Sequence, residues 1–142
     1  MTPQEKWEAR TRAAQACIDR FEGKPYEPGK RDCVQMAKHC LHHLGRRVGQ
    51  SKLPRYSSDR SGIKALRAMG FKTLVEAVDS TDLVKIPAAS AVMGDIVALP
   101  SDDEAFGAAL TVAVGGGRVL GFQDGVCRVL QPSAFVAAWR TV

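Results

Sequence analysis

The residues with the most chemical potential lie in one stretch, "RDCVQMAKHCLHHLG", where Cys33 directly follows Asp32 and His39, His42 and His43 follow within ten residues. A thiolate is the nucleophile and metal-binding form of cysteine, and a helix start with cationic neighbours is where it forms most easily. Acyl transfer by cysteine needs more than a thiolate. An imidazole within about 3 Å must hold the thiolate as an ion pair and later protonate the leaving group. A third polar group then fixes the tautomer of that imidazole.

Asp32 is a good N-cap residue, which puts Cys33 at the first helical position. Val34, Ala37, Leu41 and Leu44 follow at helical spacing, and Gly45 is a natural stop. On this helix His39 lies about 9 Å beyond Cys33 and His43 about 15 Å beyond it. Neither reaches the sulfur while the helix is intact. The helix N-terminus favours the thiolate by roughly 0.3–1 kcal/mol, less than the ~1.4 kcal/mol that corresponds to one pKa unit. Lys30 and Arg31 add to it and Asp32 opposes it. The competing reading is an inert Cys33, a small sulfur packed at a helix start.

The histidines also invite a metal reading. His39 with His43, or Cys40 with His43, supplies two ligands, but a structural zinc takes four and no further pair has suitable spacing. The expectation is solvent-facing histidines, with no metal and no cofactor. Cys17 and Cys127 read as core residues, and the spacing of the four cysteines suggests free thiols rather than a disulfide framework.

The elements that position these residues change character along the chain. With 142 residues, 45% hydrophobic and 25% charged, the sequence is expected to form a single domain, 1–142. No apolar run approaches the roughly 18–20 residues of a membrane span, and "MTPQEKWEAR" is not a signal peptide. Synthesis in the cytoplasm is expected. Residues 1–72 carry 16 Lys/Arg against 7 Asp/Glu, whereas residues 73–142 carry 4 against 8. The basic half either meets an anionic partner or is a solvated helical surface. Aromatic-basic interleaving and nucleic-acid motifs are missing, so nucleic acid is not the expected partner.

The first half reads helical. Trp7 to Phe21 places Trp7, Ala14, Cys17, Ile18 and Phe21 near one face, and "EGKPYEPGK" breaks it. After the basic loop "GRRVGQSKLPRY", Ile63, Leu66 and Met69 mark a further helix, capped by Ser57, Ser58 or Asp59 and ended by Gly70. The second half reads as strands: "DIVAL", "ALTVAV" and "RVLGF", then "VCRVL" after the hairpin signal Asp124-Gly125. "SDDEAFG" is an acidic loop tip, and "PSAFVAAWR" is expected to form a short helix or turn that brings Trp139 onto the sheet. The fold class is α+β, with N-terminal helices packed on an antiparallel β-meander.

The order of these features resembles the NlpC-type cell-wall cysteine peptidases. "RDCVQMA" is similar to the family's nucleophile motif, with Cys33 at the nucleophile position. "LPRYSS" follows, "MGDIVAL" is similar to its Gly-Asp strand opening, and "ALTVAVGGGRVLGF" resembles its histidine-bearing strand and hairpin. The resemblance runs from about Trp7 to Arg140. It implies a papain-like fold. The length and terminal "AWR" resemble a small branch from tailed-phage tail modules, which implies a virion tail location and hub or tip proteins as partners. The same alignment puts Ala109 at the family's histidine and Gly121 near its third polar position, and no histidine follows His43.

Two readings follow. In the first, the chain is a pseudoenzyme, a structural part of a tail tip or hub with a vestigial Cys33, its exposed strands and Trp139 supplying assembly contacts. In the second, it is an active peptidoglycan endopeptidase acting at host entry, with a histidine supplied by another chain or with an unusual general acid.

Overall fold

In the computed structural model, which describes residues 1–47, 54–102 and 105–142, each helix begins at a side chain that caps it. Thr2 accepts from the Glu5 amide while Glu5 reaches back to the Thr2 amide, and Pro3 takes a first-turn position, so α1 runs Pro3–Phe21. Asp32 accepts from the Gln35 amide and starts α2, Cys33–His43. Ser58 and Ser61 form the same reciprocal box at α3, Asp59–Ala68. Thr73 caps α4, Leu74–Asp79, a helix too short to show a period in sequence. Residues 48–53 of the basic loop and Asp103 and Glu104 of the acidic tip lie outside the described residues.

The strands are β1 (Val84–Ile86), β2 (Ile96–Leu99), β3 (Ala109–Gly115), β4 (Arg118–Gln123), β5 (Val126–Leu130) and β6 (Ala137–Arg140). They form one antiparallel sheet in the order β1-β6-β2-β3-β4-β5. The meander is therefore β2 to β5 only, because β6 inserts between β1 and β2. "AWR" is strand, where a helix or turn was expected. Its alanines have little strand preference, but pairing on both sides overrides that. Asp124 (φ 53°) and Gly125 (φ 79°) make the β4–β5 turn, with the two positive φ values that a tight hairpin favours.

The sheet's pleat sorts its side chains. Ile96, Ala98, Leu110, Val112, Leu120, Cys127, Ala137 and Trp139 face the helices and meet Ala13, Cys17, Phe21, Met36, Cys40 and Leu41. Val97, Ala113, Val119 and Ala138 form a smaller cluster on the other face. Trp139 is fully buried, with its indole N–H donating to Asp79 Oδ1 at 2.9 Å. It is therefore not available for assembly contacts, contrary to the sequence reading. Trp7 departs in the opposite sense. It is 54% exposed, because α1 buries the face of Ala9, Ala13, Ala14, Cys17 and Phe21 instead.

The Gly94-Asp95 motif anchors α1 to the sheet. Asp95 is fully buried and accepts from Arg10 Nη1 at 2.8 Å, the Val92 amide at 2.9 Å and the Thr141 amide at 3.1 Å. Arg10 also donates to the Met93 carbonyl at 3.0 Å and to the backbone oxygen of Val142, and Arg140 Nε lies 3.1 Å from Asp95 Oδ2. Such a pair contributes little net stability, but removing one partner leaves a buried charge uncompensated, at a cost of about 3–5 kcal/mol.

Candidate functional site

Cys33 stands at the first position of α2, as its Asp-Cys pair predicts. Three segments converge on it. The α1–α2 connection is tied to β5 and its turn by the Gly23 amide on the Cys127 carbonyl (2.8 Å), the Cys127 amide on Lys24 (3.0 Å) and the Tyr26 amide on Gly125 (2.8 Å). Asp32 then ties the connection to what precedes α3. One oxygen accepts the Gln35 amide at 2.8 Å, and the other accepts the Gly29 amide at 2.8 Å and the Tyr56 hydroxyl at 2.6 Å. Gly29 has φ +85°, and a Cβ there would lie 2.0 Å from the Tyr56 carbonyl oxygen, so this approach needs glycine.

The result is a cavity of about 280 Å³ bounded by Cys33, Tyr26, Tyr56, Phe106, Phe122 and the start of β3 at Ala108 to Leu110. The phenol of Tyr26 donates to Asp59 Oδ1, and its ring meets Phe122 edge-on at 5.6 Å. The phenol of Tyr56 accepts from Gln35 Nε2 at 3.3 Å. Burial, and then these carboxylate partners, push both phenols above their ordinary pKa. The sequence reading gives neither tyrosine a role, Tyr56 entering it only within the "LPRYSS" motif. Their only local signal is a position just before a helix, in "KPYEPG" and "RYSS".

The same cavity disfavours the thiolate. Burial pushes the Cys33 thiol from 9.0 up to about 12, with Asp32 adding to the rise and the backbone amides of Leu110, Cys33 and Val34 pulling partly against it. Cys33 is itself only partly buried, and the helix N-terminus, which favours a thiolate by roughly 0.3–1 kcal/mol, leaves the direction of the shift upward.

Ala109 borders the cavity, but by strand alternation it shares its parity with Thr111 and Ala113, whereas Leu110 and Val112 face the helices. Gly121 is on β4's far face, where Thr111 Cγ2 would lie 2.7 Å from an added Cβ. A polar side chain there has neither room nor a route to Cys33. The three histidines are elsewhere. The His39 ring sits edge-on to Phe21 at 5.7 Å and to His43 at 4.5 Å, and His39 and His42 border a separate cleft between α1 and α2.

Cys40 is fully buried with its thiol directed at the Gly94 carbonyl (3.4 Å), while His43 is exposed, so the two do not converge. All four cysteines are free, and Cys17 and Cys127 are fully buried. Contact with the Cys17 thiol, and then burial, push the Cys40 thiol well above its ordinary value.

These features define an α+β protein with a six-stranded antiparallel sheet and a partly buried helix-end thiol in a half-open, phenol-lined cavity. A family model described as a domain of unknown function, DUF6950, matches residues 2–141, and the chain belongs to that family. No curated protein matches it. No helix among the described residues is long and apolar enough to cross a membrane.

Proposed function

We propose that the protein is a non-catalytic domain of the papain-like, NlpC type that serves as a structural component of a phage tail tip or hub. One observation carries the non-catalytic half. Cys33 shares its cavity with two phenols, the carboxylates of Asp32, Asp59 and Asp124, and apolar side chains, its thiol is pushed up to about 12, and every histidine of the chain lies on another side of α2. No imidazole stands beside the thiol, and imidazole is the group that holds a cysteine peptidase's thiolate as an ion pair and protonates the leaving amine. The tail location rests on the resemblance of the Asp-Cys, Gly-Asp and glycine-hairpin motifs. Trp139 being buried, assembly contacts would fall on the apolar side chains left in solvent, among them Trp7, Val84, Phe135 and Val136.

A second reading, a peptidoglycan endopeptidase of the tail, is favoured by one feature. The amides of Leu110, Cys33 and Val34 act on the sulfur in the direction that stabilises a thiolate. It requires a histidine from a neighbouring chain or an unusual general acid, for which the cavity offers carboxylates and phenols.

The test is mass spectrometry of purified tails together with Cys33→Ala in the encoding genome. The proposal expects the protein in the tail and unchanged infectivity. Absence from the virion overturns the tail assignment, and loss of infectivity with Cys33→Ala overturns the non-catalytic one.

A further inference from the structure

The wall of α2 away from Cys33 is one side of an open cleft of about 610 Å³ bordered by the end of α1 and the α1–α2 connection. Its charged lining is Arg20, Lys24, Lys30, Arg31 and Lys38, joined by His39 and His42, and it contains no carboxylate. One nearby acid, Glu27, pairs with Arg31 at 2.8 Å and with Lys30 at 3.7 Å. Arg20, Lys24 and Lys38 have no ion-pair partner among the described residues. The Arg20 guanidinium lies over the Phe21 ring, 5.6 Å from its centre.

Arg20, Lys24 and Lys30 are exposed and Arg31 and Lys38 half-buried, and they come from a helix end, a loop and a second helix to border one open concavity rather than a single helix face. Like charges brought together in this way raise the local positive potential. His39 registers the crowding. Its pKa is lowered from 6.5 by burial, then by His43 and by Arg20. The volume is that of a small-molecule site, which typically holds about 300–1,000 Å³.

We propose that this cleft binds a compact phosphate-class oligoanion, a group of the di- or triphosphate type, through Arg20, Lys24 and Lys38, with His39 and His42 at its edge. Phosphate suits the guanidinium fork and the ammonium point charges. It also concentrates its charge in one place, as the cleft does. An acidic peptide spreads its carboxylates along a chain, and a nucleic acid calls for a stripe of cations rather than a single concavity. The proposal is independent of whether the protein is a tail component.

The bound anion and the histidines are linked. The groups facing His39 are Arg20 and Phe21 from α1 and His42 and His43 from its own helix. Lys24, Lys30 and Arg31 line the same cleft from the connection. A bound polyanion offsets this positive field, so it raises the proton affinity of His39 and binds more tightly as pH falls.

The experiment is calorimetric titration of the whole protein with inorganic tripolyphosphate at low ionic strength. One-to-one saturable binding is expected, weakened about tenfold or more by Lys24→Glu with Lys38→Glu, and weaker at about pH 8 than at about pH 6. His39→Gln should reduce the pH dependence and retain most of the affinity. Lys24→Gln with Lys38→Gln serves as a second pair should charge reversal prevent folding. Equal binding by the wild type and the lysine variants overturns the proposal. So does tighter binding of a glutamate-rich peptide or a single-stranded oligonucleotide than of tripolyphosphate.

Discussion

Helix α2 separates two regions that treat charge oppositely. On the Cys33 side, polar groups are matched. Asp32 accepts from two amides and from Tyr56, and Tyr26 donates to Asp59. On the other side, Arg20, Lys24 and Lys38 line a cleft with no acid in its wall. A satisfied network rigidifies a fold and leaves little for a ligand to gain. An unmatched cluster of like charge costs the protein repulsion that a ligand relieves. The motif that looks catalytic in sequence also joins, in three dimensions, the α1–α2 connection, α2 and the segment before α3. The basic stretch that looks like an ordinary surface holds the better case for binding.

The largest test of this contrast is Asp32→Ala. It removes an N-cap, worth about 1 kcal/mol, and leaves the Gly29 amide and the Tyr56 hydroxyl without their acceptor, at about 1–3 kcal/mol for each buried group. Urea unfolding should show a loss of about 3 kcal/mol. Lys38→Ala on the opposite wall should stay within about 0.5 kcal/mol of wild type or gain stability. Comparable losses in both would erase the distinction.

Next in size is the reactivity of Cys33. With its pKa raised from 9.0 to about 12, alkylation by iodoacetamide at neutral pH should run about a hundredfold or more below that of a free cysteine. The rate should climb until the pH approaches 12. Because the folded pKa exceeds the unfolded one, the protonated thiol favours folding below about pH 9, and that contribution is lost as pH rises through about 12. Rapid alkylation at pH 6–7, mapped to Cys33 by peptide mass spectrometry, would mark an activated thiolate instead.

Tyr56→Phe should cost about 1.5 kcal/mol, the value of a hydrogen bond to a charged group, read as a shift of the urea midpoint at unchanged slope. The smallest effect concerns His39. Its folded pKa is lowered below 6.5, so the neutral ring favours folding. That contribution is present above the unfolded pKa and is lost as pH falls through the folded one. The melting temperature should fall slightly on acidification below pH 6.5, less in His39→Gln, and tripolyphosphate should offset the fall.

Much of the helical half was legible because its signals are local. The Asp32 cap, the Gly45 and Gly70 stops and the Asp124-Gly125 turn each depend on neighbouring residues alone. The separation of His39 and His43 from Cys33 follows from helical rise. What the sequence hid depends on distant partners. Arg10 resembles any arginine on a charged helix until Asp95 meets it from 85 positions away. Strand β6 is an alanine-rich segment that becomes strand because β1 and β2 flank it. Of the site, Cys33 and the cavity-lining Ala109 were found by motif. Tyr26 was not, and Tyr56 only as one letter of "LPRYSS" with no role attached, since loop tyrosines carry no mark of the aspartates they will reach.

The proposal that Cys33 performs no hydrolysis is tested most directly with purified peptidoglycan exposed to the protein, alone and in assembled tails, beside Cys33→Ala. The account predicts equal, background release of new amino groups in both. Release by the wild type that vanishes with Cys33→Ala would contradict it.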